Sequence, residues 1–137
     1  MYYMFAYCSN LTNVSALANW NTSNVTTMQG MFYGKIFQNM LKLSIITTMY
    51  EMFCYCSSLS IFFSNSLLSI ITTMYEMFRN CSNLSNITAL ANWNTSNVTT
   101  MYCMFRNCSN LTTLDISGWD TSKVSNNDNF LYSCSKR

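Results

Sequence analysis

Histidine and proline are absent from the 137 residues, glycine occurs three times, and charged side chains make up 9% of the chain. The lack of histidine removes the commonest general base and the commonest metal-binding side chain together. A charged fraction so far below the usual roughly 25% leaves Asn, Ser and Thr to hydrate the surface. The seven basic residues, Lys35, Lys42, Arg79, Arg106, Lys123, Lys136 and Arg137, are scattered and leave a net charge of +2, which is no electrostatic footprint for nucleic acid.

Long apolar runs are missing too. The stretch IFFSNSLLSII is interrupted by Ser64, Asn65, Ser66 and Ser69, so no segment reaches the roughly 18 apolar residues of a membrane-spanning helix. The opening MYYMFAYCSN shows neither a basic leader nor a long apolar segment, and Tyr7 before Cys8 does not fit a lipoprotein cleavage site. Serines are plentiful, yet none has a histidine, a suitably spaced lysine or a Gly-x-Ser-x-Gly turn to activate it. No nucleophile–base pair is present from which to build an enzyme, so none is expected, and neither is a cofactor or a small-molecule substrate.

Against these absences stands an apolar fraction of 50%, enough to bury a core in a single domain. It is organised as a repeat. The stretch ALANWNTSNVTTM occurs twice without change, from Ala16 to Met28 and from Ala89 to Met101. Aligned on the pair Met-Phe, copies start at Met4–Phe5, Met31–Phe32, Met52–Phe53, Met77–Phe78 and Met104–Phe105, with a worn sixth at Phe130–Leu131. Their spacing of 21 to 27 residues falls within the roughly 20 to 29 of leucine-rich-type coils.

Within a copy, Val98, Met101, Met104, Phe105, Cys108 and Leu111 follow steps of three and four, which predict one face of a short helix or 3-10 segment. The preceding NTSN or DTSK supplies capping oxygens, placing helix starts near Ser23, Ser96 and Ser122. In LTTLDIS, Leu111, Leu114 and Ile116 alternate with Thr113, Asp115 and Ser117, which predicts a short strand. A strand and a helix in every copy predict an α/β repeat. This is a leucine-rich-repeat-like right-handed solenoid with short parallel strands on the concave side and short helices on the convex side. It forms one domain of about five coils over residues 1–137, with Trp20, Trp93 and Trp119 plugging the corners. The coils near 30–74 are degenerate: Lys35 replaces the cysteine of the other copies, and IFFSNSLLSIITTM lacks both tryptophan and cap. Both ends fall within a coil, as expected of a fragment of a longer repeat protein or of a decayed repeat gene.

Cys8, Cys56, Cys81, Cys108 and Cys134 share one position in the coil and are expected to be small buried core residues. If helices stack there, neighbouring cysteines lie on the order of 10 Å apart, beyond the roughly 7 Å reach of a disulfide. Cys54 and Cys103 fall outside that register, and two cysteines in CYC are too few for a zinc site. The recurrent methionines are expected to fill the core. Glu51, Glu76, Arg79 and Arg106 are expected on the solvated surface. The many Asn-x-Ser/Thr sequons follow from composition.

The combination of WDTSKV with TTMYCMFRNCSNLTTLDIS, recurring in order along nearly the whole chain, resembles the BspA-like leucine-rich-repeat surface proteins of many bacteria and some protists. The resemblance implies a cell-surface or extracellular solenoid that adheres to protein or glycan partners on host, matrix or neighbouring cells. On the residues themselves, the concave strand face of Thr113, Asp115 and Ser117 is the expected partner-binding surface. The alternative is a passive spacer or antigenic coat, which verbatim duplication favours because it copies a unit without requiring each copy to bind.

Overall fold

The structure, a computed structural model, describes residues 1–11, 17, 20–21, 24–34, 47–56, 70–85 and 87–134. Successive copies lie side by side in register. Thr27 pairs with Thr48, Thr48 with Thr73, Thr73 with Thr100 and Thr100 with Asn126, each through one parallel bridge. The ladder then continues through the Met-Phe segment. Backbone N–H groups of Met74, Glu76, Phe78 and Asn80 donate to the carbonyls of Thr100, Tyr102, Met104 and Arg106 at 3.0, 2.9, 2.9 and 2.8 Å. Met101, Cys103, Phe105 and Asn107 repeat this towards Asn126, Asp128, Phe130 and Tyr132.

The N–H groups between those donors turn inward. Met77 donates to the carbonyl of Met74, Arg79 to Glu76 and Cys81 to Phe78, at 3.4, 3.2 and 3.2 Å. Each copy is thus a run of overlapping turns, and the third residue of the first and last turn has positive φ, the conformation a type II turn requires. The pairs are Tyr3 and Tyr7, Gly30 and Gly34, Glu51 and Tyr55, Glu76 and Asn80, Cys103 and Asn107, and Asn129 and Ser133.

This corrects the expected helices. A helix starting near Ser96 or Ser122 would run through residues whose φ is +52° at Cys103 or +55° at Asn129, which right-handed helix excludes. Overlapping turns that begin at Met74, Glu76 and Phe78 bury Met74, Met77, Phe78 and Cys81, as a helical face would, and so mimic its period. The helical segment with defined bounds among the described residues is a 3-10 turn at Thr88–Leu90. It lies in the corner and not in the Met-Phe segment. Ser23 falls outside the described residues. The NTSN and DTSK segments cap turns instead: Asn94 Oδ1 accepts from Ser96 N at 3.1 Å and Asp120 Oδ1 from Ser122 N at 2.9 Å.

Among the described residues, the expected strand at 111–117 shrinks to a single bridged residue. From Thr113 to Ser117 the burial alternates with period two, Leu114 and Ile116 half-buried and Thr113, Asp115 and Ser117 exposed, while Leu111, buried, and Thr112, exposed, fall outside it; only Thr113 is bridged. The ladder passes through Thr48 and Thr73, within the coils expected to be degenerate. Their most divergent parts, 35–46 and 57–69, are outside the described residues.

In-register stacking places each side chain on its equivalent. Phe5, Phe32, Phe53, Phe78 and Phe105 form one column with ring centroids 5.8, 5.7, 5.8 and 5.4 Å apart and interplanar angles of 8° to 14°. Met28, Met31, Met49, Met52, Met74, Met77, Met101 and Met104 fill the space around it, none more than 3% exposed. Trp119 stacks on Trp93 at 6.2 Å, and its indole N–H donates to the Leu90 carbonyl at 2.7 Å. Hydroxyls add a second ladder: Thr47, Thr72, Thr99 and Ser125 each donate to the main-chain carbonyl of Thr26, Thr47, Thr72 and Thr99.

The cysteines have a related task. The thiols of Cys56, Cys81, Cys108 and Cys134 donate to the carbonyls of Phe32, Phe53, Phe78 and Phe105 in the preceding copy, at 3.2, 3.0, 3.1 and 3.0 Å. Cys56, Cys81 and Cys108 are buried, and Cys8 and Cys134 are half-buried. Bridged backbones sit about 5 Å apart, half the helix-packing distance, so the separation expected from stacked helices does not apply. Each sulfur is engaged with a carbonyl, and burial raises the thiol pKa, well above its ordinary value for Cys81 and to about 12 for Cys108.

Removing the central ring of the column, Phe78→Ala, should cost about 3–5 kcal/mol in urea-induced unfolding. Gly30→Ala should cost about 1–3 kcal/mol in the same assay. The added Cβ would lie 2.2 Å from the Tyr3 ring, at a φ of +58°.

Candidate interaction surface

Thr113, Asp115 and Ser117 lie together on the exposed side of their segment. The carboxylate of Asp115 is not free, because its Oδ1 accepts from Ser117 N at 2.9 Å and closes a local turn. The Ser117 hydroxyl, followed by that backbone bond, holds the Asp115 carboxyl below the ordinary carboxylate range, as Ser122 does for Asp120. Next to this segment, Leu111, Thr112, Thr113, Leu114, Ile116, Leu131 and Cys134 line an open cavity of about 460 Å³. Among the described residues the trio does not recur as a row. In the preceding copy the corresponding corner holds the 3-10 turn Thr88–Leu90, and Asn86 is outside the described residues.

A second surface was not singled out by sequence reasoning. It is built from the side chains beside the Met-Phe pairs. Tyr75 stacks on Tyr50 at 4.5 Å and 4°, and Tyr102 on Tyr75 at 4.8 Å and 20°. Burial, followed by the nearby Glu76, raises the Tyr75 hydroxyl to about 12. Towards the first copies, Tyr33 meets Tyr3 and Tyr7 edge-to-face at 5.8 and 5.5 Å, and Tyr55 at 5.2 Å. Burial raises the Tyr33 hydroxyl further, and Tyr3 donates its hydroxyl to a carboxylate oxygen of Glu51. The rings of Tyr3 and Tyr7 lie on Gly30 and Gly34, where any Cβ would collide with them.

Farther along the same columns the aromatics give way to charge. Arg79 pairs with Glu76 at 2.8 Å, and Glu76 is buried rather than solvated as expected. Arg106 lies over the Tyr132 ring, 5.2 Å from its centroid. Asn107 donates to Asn80 Oδ1 at 2.7 Å, continuing the row as amides. Cys54 and Cys103, outside the cysteine register, are buried beside these charges, and burial with the Glu51 charge pushes the Cys54 thiol up to about 12. Among the described residues no group of three or more Cys, Asp or Glu gathers as metal ligands do, and no helix is long and apolar enough to cross a membrane.

The stacked copies define a tandem-repeat protein. The chain belongs to the family described as Mycoplasma protein of unknown function, DUF285, which matches residues 1–67 and again 47–136. That family is associated with BspA-like surface repeat proteins. No curated protein and no solved structure matches the chain.

The two corner carboxylates set an acid limit. Their folded pKa values lie below the ordinary 3.8, so the stability they contribute is complete above that pH and is lost as pH falls through the depressed values. Asn94 already closes the equivalent turn in another copy, so a variant with Asp115→Asn and Asp120→Asn should fold as well at pH 7. Its melting temperature should fall less than the parent's between pH 5 and 2.5, as read by circular dichroism.

Proposed function

We propose that this chain is a non-enzymatic segment of a cell-surface repeat protein, built as a right-handed leucine-rich-repeat-like solenoid, that adheres to protein or glycan partners on host, matrix or neighbouring cells. The observation that carries the reading is the in-register ladder from Thr27 to Asn126. It supports a coil that adds copies without limit and displays each surface position as an ordered row. Membership of a family associated with surface repeat proteins points the same way. The rows are polar but nearly uncharged, Asn, Ser, Thr and Tyr in the main, which suits an interface of many modest hydrogen bonds more than a single pocket.

On this reading Thr113, Asp115 and Ser117 form a contact patch, with Asp115 acting through its outward oxygen while Oδ1 holds the turn. A passive spacer or coat segment is the competing reading, favoured by the identical copies at Ala16–Met28 and Ala89–Met101. Two measurements decide. Protease treatment of intact source cells should remove an epitope from this chain, and the purified chain should bind immobilised matrix proteins or arrayed glycans. Thr113→Lys with Ser117→Lys should lower that binding at least about fivefold, in keeping with the loss of about 1 kcal/mol of contact. An epitope protected on intact cells would sink the surface reading, and an exposed epitope on a chain that binds nothing would favour the spacer.

A further inference from the structure

Equivalent positions in the columns beside the Met-Phe pairs are filled differently at the two ends of the stack, and the difference carries chemical information. In the later copies a cation and a ring meet within the chain, with the Arg106 guanidinium 5.2 Å from the centroid of the Tyr132 ring. In the first three copies the same columns hold tyrosines and no arginine: Tyr3, Tyr7, Tyr33 and Tyr55, with Glu51 among them. Tyr7 is 71% exposed, Tyr55 47% and Tyr3 42%. Gly30 and Gly34 back the rings of Tyr3 and Tyr7, both of which stay exposed. Among the described residues, the cation lying over a ring is Arg106 alone.

We propose that the ledge formed by Tyr3, Tyr7, Tyr33 and Tyr55, with the Glu51 carboxylate at its edge, binds arginine side chains of a basic protein segment. A guanidinium stacks flat on a tyrosine face and is drawn to the ring's negative quadrupole. Glu51 supplies the complementary charge, one of its oxygens accepting from Tyr3 at the edge of the ledge. The Arg106–Tyr132 contact is the same pairing made inside the chain, between neighbouring copies. The rings are also held in place before binding, by their mutual edge-to-face contacts and by glycine beneath, so little side-chain entropy remains to be lost. The glycine backing matters because a Cβ at residue 30 or 34 would lift the rings off the second copy.

The inference deepens the adhesive reading by naming the partner chemistry for one face, and it rests on that reading. The test uses the full chain and a dye-labelled peptide of arginines spaced by Gly-Ser, followed by fluorescence anisotropy. Its controls are the same peptide with citrulline for arginine, and phosphocholine vesicles as a source of quaternary ammonium. The diagnostic variant carries Tyr7→Asn and Tyr55→Asn. Both positions have positive φ, which asparagine tolerates, and Asn80 and Asn107 occupy the equivalent place in later copies. The fold is therefore retained while two rings vanish.

The parent chain should bind the arginine peptide, the double variant should bind it roughly tenfold more weakly with an unchanged circular dichroism spectrum, and Glu51→Gln should weaken binding and flatten its salt dependence. Equal binding of the citrulline peptide, equal binding by the double variant, or binding to the vesicles and not to the arginine peptide would each overturn the proposal. A chain that holds matrix proteins but ignores the arginine peptide would overturn the ledge alone and leave the adhesive reading standing.

Discussion

Each copy of this repeat holds the next through backbone hydrogen bonds that leave from every second residue, and the geometry of that alternation governs the rest of the molecule. A residue such as Phe78 sends its N–H to the neighbouring copy while Met77 and Arg79 close turns within their own. The chain achieves this only by taking a left-handed conformation twice per copy, four residues apart. Those conformations cost on the order of 1 kcal/mol or more each for a residue with a side chain. The inter-copy bonds and the burial of the phenylalanine and methionine columns offset it.

Register has a second consequence, which reaches back to composition. When equivalent residues lie about 5 Å apart, apolar columns reinforce themselves but a column of one charge repels itself, by roughly 1 kcal/mol per neighbouring pair even in water. A chain with 9% charged residues meets that penalty at few positions, Glu51 beside Glu76 and Arg79 beside Arg106. Where charge does enter the columns it is compensated: Arg79 pairs with Glu76, Tyr3 donates to Glu51, and Arg106 rests on Tyr132. Uncharged polar residues gain from the same arrangement, since the hydroxyls of Thr72 and Thr99 each find a carbonyl of the copy before. The cysteines extend this to sulfur, giving the phenylalanine carbonyls a second donor inside the core.

The surface inherits the order of the interior. A position that varies between copies, such as the one shared by Tyr3, Gly30, Glu51, Glu76 and Cys103, becomes a row, and the Tyr3 ring both lies against Gly30 and bonds to Glu51, so a substitution in one copy acts on its neighbours. Gly30 and Gly34 show this most directly: they relieve the left-handed strain of their own copy and at the same time make room for the tyrosines of the previous one. Recognition surfaces in such a stack arise from differences between copies, while the shared residues maintain the stack.

The amino-acid sequence by itself determined the repeat and most of the membership of the core. The spacing of Met-Phe, Cys and Leu marks the positions that the structure buries, from Met28 to Leu111, because burial depends on which residues are apolar and how often they recur. It also placed Thr113, Asp115 and Ser117 on the exposed side by simple alternation. Only the tertiary structure decided how the backbone meets that spacing. Steps of three and four suit a helix and a run of type II turns equally well, and the choice fell to the inter-copy hydrogen bonds, which a helix would have consumed internally. For the same reason the tyrosine ledge was invisible beforehand. Tyr3, Tyr7, Tyr33 and Tyr55 are scattered over more than fifty residues of chain, and the register of stacking is what brings their rings within 6 Å of Tyr33.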